Sequence, residues 1–198
     1  MSKKTPFLSD IQNLPNFLSI IRVPGVFLSI YLFLAGFKRT SVIVGILACI
    51  TDYADGIIAR RRGLVTDIGE ILDQFGDSTS TLAMLITGVY LGFCSIETAF
   101  LFAMREFWVY AIRRYVALKN EKIPSIFLGK LASNFLFWGG AVLFFAYAGF
   151  LNDEISIYFR YLCLFGIWAG LVMSYMTSFT YTRDFIKIYN RVNSGAQE

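Results

Sequence analysis

Residues 52–78 read DYADGIIARRRGLVTDIGEILDQFGDS. Five aspartates, one glutamate and three consecutive arginines fall in this one stretch, between two apolar runs. Asp52 and Asp55 are three apart, and Asp73 and Asp77 four apart. On helices each pair shares a face. The connection RRRGLVT is short, so the two helices are expected to be antiparallel neighbours that bring four carboxylates to one point. Gly56 and Gly69 remove side chains where a backbone or ligand must come close.

The rest of the chain sets the surroundings of that hairpin. Of its 198 residues 56% are hydrophobic and only 16% charged, with 20 Phe and 11 Tyr; mean hydropathy is +0.58. A soluble domain carries nearer a quarter charged residues. The composition indicates an all-α integral membrane protein, folded as one domain over residues 1–198. Six apolar segments are predicted as transmembrane helices: 15–37, 41–59, 68–93, 97–118, 128–150 and 155–181. The opening KKTPFLSDIQNLPNFLS mixes apolar and polar residues; it is read as a juxtamembrane amphipathic helix, with a frayed tail as the alternative. It lacks the apolar core and small-residue cleavage site of a secretory signal.

Charge placement gives the orientation. With six spans both termini share a side, and Lys3, Lys4, Arg60, Arg61, Arg62, Arg113, Arg114, Lys119, Lys122, Lys130, Arg183, Lys187 and Arg191 fall there. The opposite side has Lys38 and Arg39, then Asp153 and Glu154. The excess of Lys and Arg makes the first side cytoplasmic, and the carboxylate hairpin with it. The three cysteines, Cys49, Cys94 and Cys163, each lie in an apolar run without CxxC spacing, and the chain has no His. Buried apolar thiols are expected rather than disulfides or a zinc site.

Four converging carboxylates need protons or cations. With only hard oxygen donors at hand, Mg²⁺ or Mn²⁺ suits them better than zinc or copper. Two such ions would neutralise the set and could bind a pyrophosphate, as in two-metal displacements at phosphorus. The neighbouring arginines supply fixed positive charge for phosphate oxygens. Solvated acids at helix ends are the bland alternative for any one aspartate. A carboxylate-lined transporter is the functional one, though such proteins hold their acids near the bilayer midplane.

The spacing Asp52-x2-Asp55-Gly56-x2-Ala59-Arg60-x8-Gly69-x3-Asp73-x3-Asp77 resembles the signature of the CDP-alcohol phosphotransferase family at every defined position. The resemblance implies six transmembrane helices, often after a juxtamembrane helix, and a homodimer in the inner membrane. It implies transfer of a substituted phosphate from a CDP-linked donor to an alcohol, with release of CMP. By the same resemblance Asp52, Asp55, Asp73 and Asp77 hold one or two divalent cations, and Asp77 is the general base. Gly56 and Arg60 would contact the nucleotide, and Thr66 stands where a small hydroxyl residue often does. Nucleic acid is not an expected partner.

Three further stretches, NLPNFLSIIRV, REFWVYAIRRY and LGKLASNF, resemble the bacterial phosphatidylglycerophosphate synthases of that family. This implies CDP-diacylglycerol as donor and glycerol 3-phosphate as acceptor. Asn16 and Ser19 would lie by the nucleotide, and Arg105, Arg113 and Lys130 by the acceptor. Arg105 stands inside a predicted span, where a charge marks a functional candidate; a structural pair with Glu106 is its alternative. Three positions depart from the subfamily pattern: Gln74 stands for a proline, Ser78 and Ala132 for lysines. Ser78 is reminiscent of members that use serine, inositol phosphate or choline.

Overall fold

The computed structural model describes residues 14–62, 66–119, 121–124 and 126–194; for residues 14, 15, 51–62, 67, 70, 193 and 194 the backbone alone is described. Among the described residues the chain forms six α-helices and no strand: α1 (Leu14–Leu34), α2 (Lys38–Arg62), α3 (Asp67–Tyr90), α4 (Ile96–Leu118), α5 (Phe127–Tyr147) and α6 (Asp153–Ser194). The all-helical class read from the sequence is observed. The expected juxtamembrane helix falls mainly on residues 1–13, outside the described part.

Tight reversals join the helices at one end of the bundle. Gly36 and Gly149 take φ of 91° and 76°, a left-handed backbone that a residue with a Cβ adopts only with strain. Arg39 at the start of α2 donates to the Gly149 carbonyl at 2.9 Å, tying the first reversal to the third.

Small residues set the closest helix pairs. Ser29 of α1 and Ser41 of α2 each donate to the other's backbone carbonyl, at 2.9 and 2.7 Å. A Cβ on Gly45 would lie 3.1 Å from the Ser29 hydroxyl, and one on Gly25 3.3 Å from Ala48 Cβ. Between α5 and α6, a Cβ on Gly170 would lie 2.9 Å from Leu136 and 3.1 Å from the Ala132 carbonyl. Close backbone approach of this kind suits helices in lipid, where packing and interhelical hydrogen bonds replace the hydrophobic drive between helices. The core beside these seams gathers Leu85, Phe102, Leu136, Leu143, Ile167 and Leu171 from four helices. A cluster of Phe33, Phe144 and Phe93, the last stacked on Tyr147, closes the end with the reversals.

The outer surface is apolar. Phe107, Tyr158, Phe165 and Phe179 are exposed, as are Ile43, Ile86 and Leu162. A continuous surface of this character marks contact with lipid or protein rather than water. Among the described residues three helical stretches are long and apolar enough to cross a membrane: Asn16–Leu34, Phe127–Tyr147 and Asp153–Val192. That is three of the six expected spans. Of the others, α4 carries Arg105, Glu106, Arg113 and Arg114 within its length, and α3 carries Asp73 and Asp77.

One sequence expectation is corrected. The last helix was expected to end at Tyr181; α6 continues to Ser194. No Gly or Pro interrupts that extension, and it is held from the side: Phe185 and Tyr189 pack on Tyr115 of α4, and Arg191 pairs with Glu121 at 2.5 Å. Among the described residues α3 meets α1, α4 and α5, and α1 touches both α2 and α3. The expected meeting of the two hairpin helices falls on residues 51–65, largely outside the described part.

Candidate active site

The site is built on the first three turns of α3. Thr66 caps the helix in extended conformation, φ −126° and ψ 153°, and its hydroxyl accepts from the Gly69 N–H at 3.0 Å. The same hydroxyl oxygen accepts from Asn16 Nδ2 of α1, also at 3.0 Å. A Cβ on Gly69 would stand 2.6 Å from Asn16 Oδ1, so glycine is required for α1 to come this close. Asn16 and Thr66, both expected at the nucleotide, therefore meet at a helix N-terminus, where backbone N–H groups favour an anion. Ser19 lies one turn further along the same buried face of α1.

Arg22 completes that face, and the sequence reading gave it no role. Its side chain is 2% exposed, while those of Asp73 and Asp77 are 56% and 57% exposed. Its guanidinium lies 3.4 Å from Asp73 Oδ1 and 3.1 Å from Asp77 Oδ1, and donates to the Asp73 backbone carbonyl at 3.0 Å. A Cβ on Gly76 would run into Arg22 Nη2, so this glycine leaves the path open. The signal was available: an arginine in a predicted span is a functional candidate by default.

A cavity of about 520 Å³ opens beside the two aspartates. It lies among α3, α4 and α5, with Tyr181 of α6 and Cys49 of α2 at its margin. Arg105, Arg113 and Lys130 line it, as do Asp73, Asp77 and Glu106. All three expected acceptor residues thus share one cavity with the described aspartates. Arg105 is buried and its Nη1 is paired with Glu106 Oε1; Glu106 Oε2 accepts from Ser78 Oγ at 2.6 Å. The pair weighed for Arg105 at the sequence level is present, and it lies within the cavity. Arg113 donates to the Tyr181 hydroxyl at 3.4 Å and sits over its ring at 5.2 Å. Among the described residues neither Arg113 nor Lys130 is in an ion pair.

The departures from the subfamily pattern divide in two. Gln74 and Ser78 line the cavity. Ala132 does not; it is fully buried on the α5–α6 seam, where its carbonyl lies against Gly170. A lysine missing there removes no charge from the cavity wall. The side chains of Asp52, Asp55, Gly56 and Arg60 lie outside the described residues, so the expected convergence of four carboxylates rests here on Asp73 and Asp77. Among the described residues no group of three potential metal ligands comes together.

The model of the CDP-alcohol phosphatidyltransferase family matches residues 12–185. The chain belongs to that family. The match takes in α1, the hairpin and the cavity-lining helices of this phosphatidyltransferase. Curated relatives agree. The CDP-diacylglycerol–glycerol-3-phosphate 3-phosphatidyltransferase of Rickettsia bellii is 32% identical over 122 residues, 60% of this chain and 67% of the relative. That of Bacillus subtilis is 29% identical over 134 residues, 60% and 69%. A probable phosphatidylglycerophosphate synthase of Mycobacterium tuberculosis is 34% identical over 128 residues, 61% and 60%.

Proposed function

We propose that this phosphatidyltransferase moves the phosphatidyl group of CDP-diacylglycerol to glycerol 3-phosphate and releases CMP. The relatives named for that reaction support the reading, and one observation carries it. The cavity that holds Asp73 and Asp77 is also lined by Arg113 and Lys130, two cations without an ion pair among the described residues. An anionic acceptor in that cavity would meet both kinds of group.

In the reaction an oxygen of the acceptor hydroxyl forms a bond to the phosphorus that carries the diacylglycerol. The bond from that phosphorus to the bridging pyrophosphate oxygen breaks, and CMP leaves with that oxygen and its electron pair. Asp77 takes the hydroxyl proton; a hydroxyl is a poor nucleophile until a positioned base removes it. Asn16, Ser19 and Thr66 hold the nucleotide at the start of α3, with Gly56 and Arg60 from the end of α2. Arg113 and Lys130 hold the acceptor phosphate.

Asp73 and Asp77 offer exposed carboxylate oxygens, and no imidazole exists in the chain. That donor chemistry fits Mg²⁺ or Mn²⁺, held with Asp52 and Asp55 as a pair of ions. Bound there, divalent cations supply charge that stabilises the pyrophosphate oxygens as the bond breaks. The reading includes six membrane spans in one domain, both termini and the site on the cytoplasmic side of the inner membrane, and a homodimer.

Purified protein with CDP-diacylglycerol, Mg²⁺ or Mn²⁺ and a panel of alcohols tests it. CMP release with glycerol 3-phosphate is expected. Release only with serine, inositol phosphate or choline would replace the acceptor, and flux of a solute in proteoliposomes without CMP release would replace the reaction.

A further inference from the structure

We propose that Glu106 selects the acceptor by accepting a hydrogen bond from its non-reacting hydroxyl, and that Ser78 positions Glu106 for this. The inference rests on the reading of glycerol 3-phosphate as acceptor.

Three observations carry it. Glu106 is fixed from two sides, by the Ser78 hydroxyl at 2.6 Å and by the Arg105 guanidinium. Ser78 follows Asp77 directly in α3, and all four side chains line one cavity. Arg105 is 9% exposed and Glu106 22%, so the carboxylate is the more accessible member of the pair.

The charge balance then assigns the parts. An arginine compensated by a carboxylate is a poor site for a phosphate, whereas Arg113 and Lys130 remain uncompensated among the described residues. The phosphate belongs at those two. A carboxylate has about four lone-pair positions; the two contacts above take one on each oxygen of Glu106, which lines the cavity and is 22% exposed, leaving capacity for a further donor. A hydroxyl is the donor that glycerol 3-phosphate brings. With the reacting hydroxyl at Asp77, the hydroxyl on the next carbon stays within the cavity that Ser78 and Glu106 also line. The serine that replaces the subfamily's lysine thus gives Glu106 a neutral anchor. A lysine there would meet that carboxylate as a second cation.

The experiment compares glycerol 3-phosphate with 3-hydroxypropyl phosphate, which lacks only the middle hydroxyl. A site built to receive a hydroxyl rejects the analogue without it. A hydrogen bond to a charged group sets the expected wild-type preference in kcat/KM at about 10-fold to 100-fold. Glu106→Gln should reduce that ratio, and Arg105→Met/Glu106→Leu, which removes both partners of the buried pair, should bring it near one. Ser78→Ala should give an intermediate ratio, restored by Ser78→Thr. For a variant without turnover, the ratio of the two compounds' Kd by calorimetry reads the same preference. Equal use of both compounds by the wild type overturns the inference alone, as does a wild-type ratio in the Glu106 variants. A wild type that releases CMP with neither compound but with an unphosphorylated alcohol overturns the acceptor reading, and this inference with it.

Discussion

Arg22 of α1 lies 3.1 Å from Asp77 and 3.4 Å from Asp73 of α3, buried on one side while both carboxylates face the cavity. Its guanidinium is a fixed cation behind the two aspartates. It offsets their mutual repulsion and holds them at a set separation before any ligand binds. Arg22→Met removes that charge from a buried position, and the carboxylates left behind are more than half exposed, so water solvates them. Thermal stability should change little. Mn²⁺ affinity, read by electron paramagnetic resonance, should rise because the aspartates lose their internal cation. Turnover should fall about 10-fold or more, because positioning is lost. Unchanged turnover with unchanged Mn²⁺ binding would remove Arg22 from the site.

Gly76 belongs to the same device. Its missing Cβ is the space through which Arg22 reaches α3. Gly76→Ala should push the guanidinium aside and reproduce the Arg22→Met phenotype, although alanine is the better helix former by about 1 kcal/mol. Two changes to one contact are not additive. The double variant should therefore be about as impaired as either single one, and a multiplicative loss would show that Gly76 acts elsewhere.

Asp77→Asn keeps the shape of the side chain and removes the charge of the proposed base and proposed metal ligand. CMP release should fall by about 10²-fold to 10⁴-fold, the range general-base catalysis supplies. The protein should remain folded by size-exclusion and circular dichroism, since Asp77 is more than half exposed. Near-full activity in this variant would move the base to another residue.

Part of the hairpin was legible because helix geometry converts spacing into faces: 73 and 77 fall together from the numbers alone, whereas Asn16 and Ser19 came from the resemblance. Arg105, Arg113 and Lys130, singled out by resemblance, line one cavity with Asp73 and Asp77. Sequence spacing could not show which helix stands beside which. The short RRRGLVT link says nothing of α1, which among the described residues touches both α2 and α3. Arg22 was hidden for that reason: its partners lie 51 and 55 positions away and become visible only once α1 is placed against α3. The Ser78–Glu106 bond was likewise out of reach. Ser78 read as a departure from a pattern, because nothing local says that a residue of α4 completes it.

Tyr181 tests whether the acceptor cations are held or merely present. Its hydroxyl accepts from Arg113 at 3.4 Å and from the Ile126 N–H at 3.3 Å, joining α4 and the start of α5 to α6. A Cβ on Gly129 would lie 3.3 Å from the same oxygen, so the first turn of α5, beside Lys130, is packed directly on it. Tyr181→Phe removes one oxygen and keeps the ring under Arg113. The loss of two hydrogen bonds should cost stability by about 1–2 kcal/mol. KM for glycerol 3-phosphate should rise severalfold, with KM for CDP-diacylglycerol nearly unchanged. Lys130→Ala should raise the same KM further, by about 10-fold or more, as expected for loss of a charge-assisted contact to phosphate. If both variants instead raised KM for the lipid donor and spared that of the acceptor, Arg113 and Lys130 would serve the pyrophosphate, and the acceptor phosphate would have to be held elsewhere.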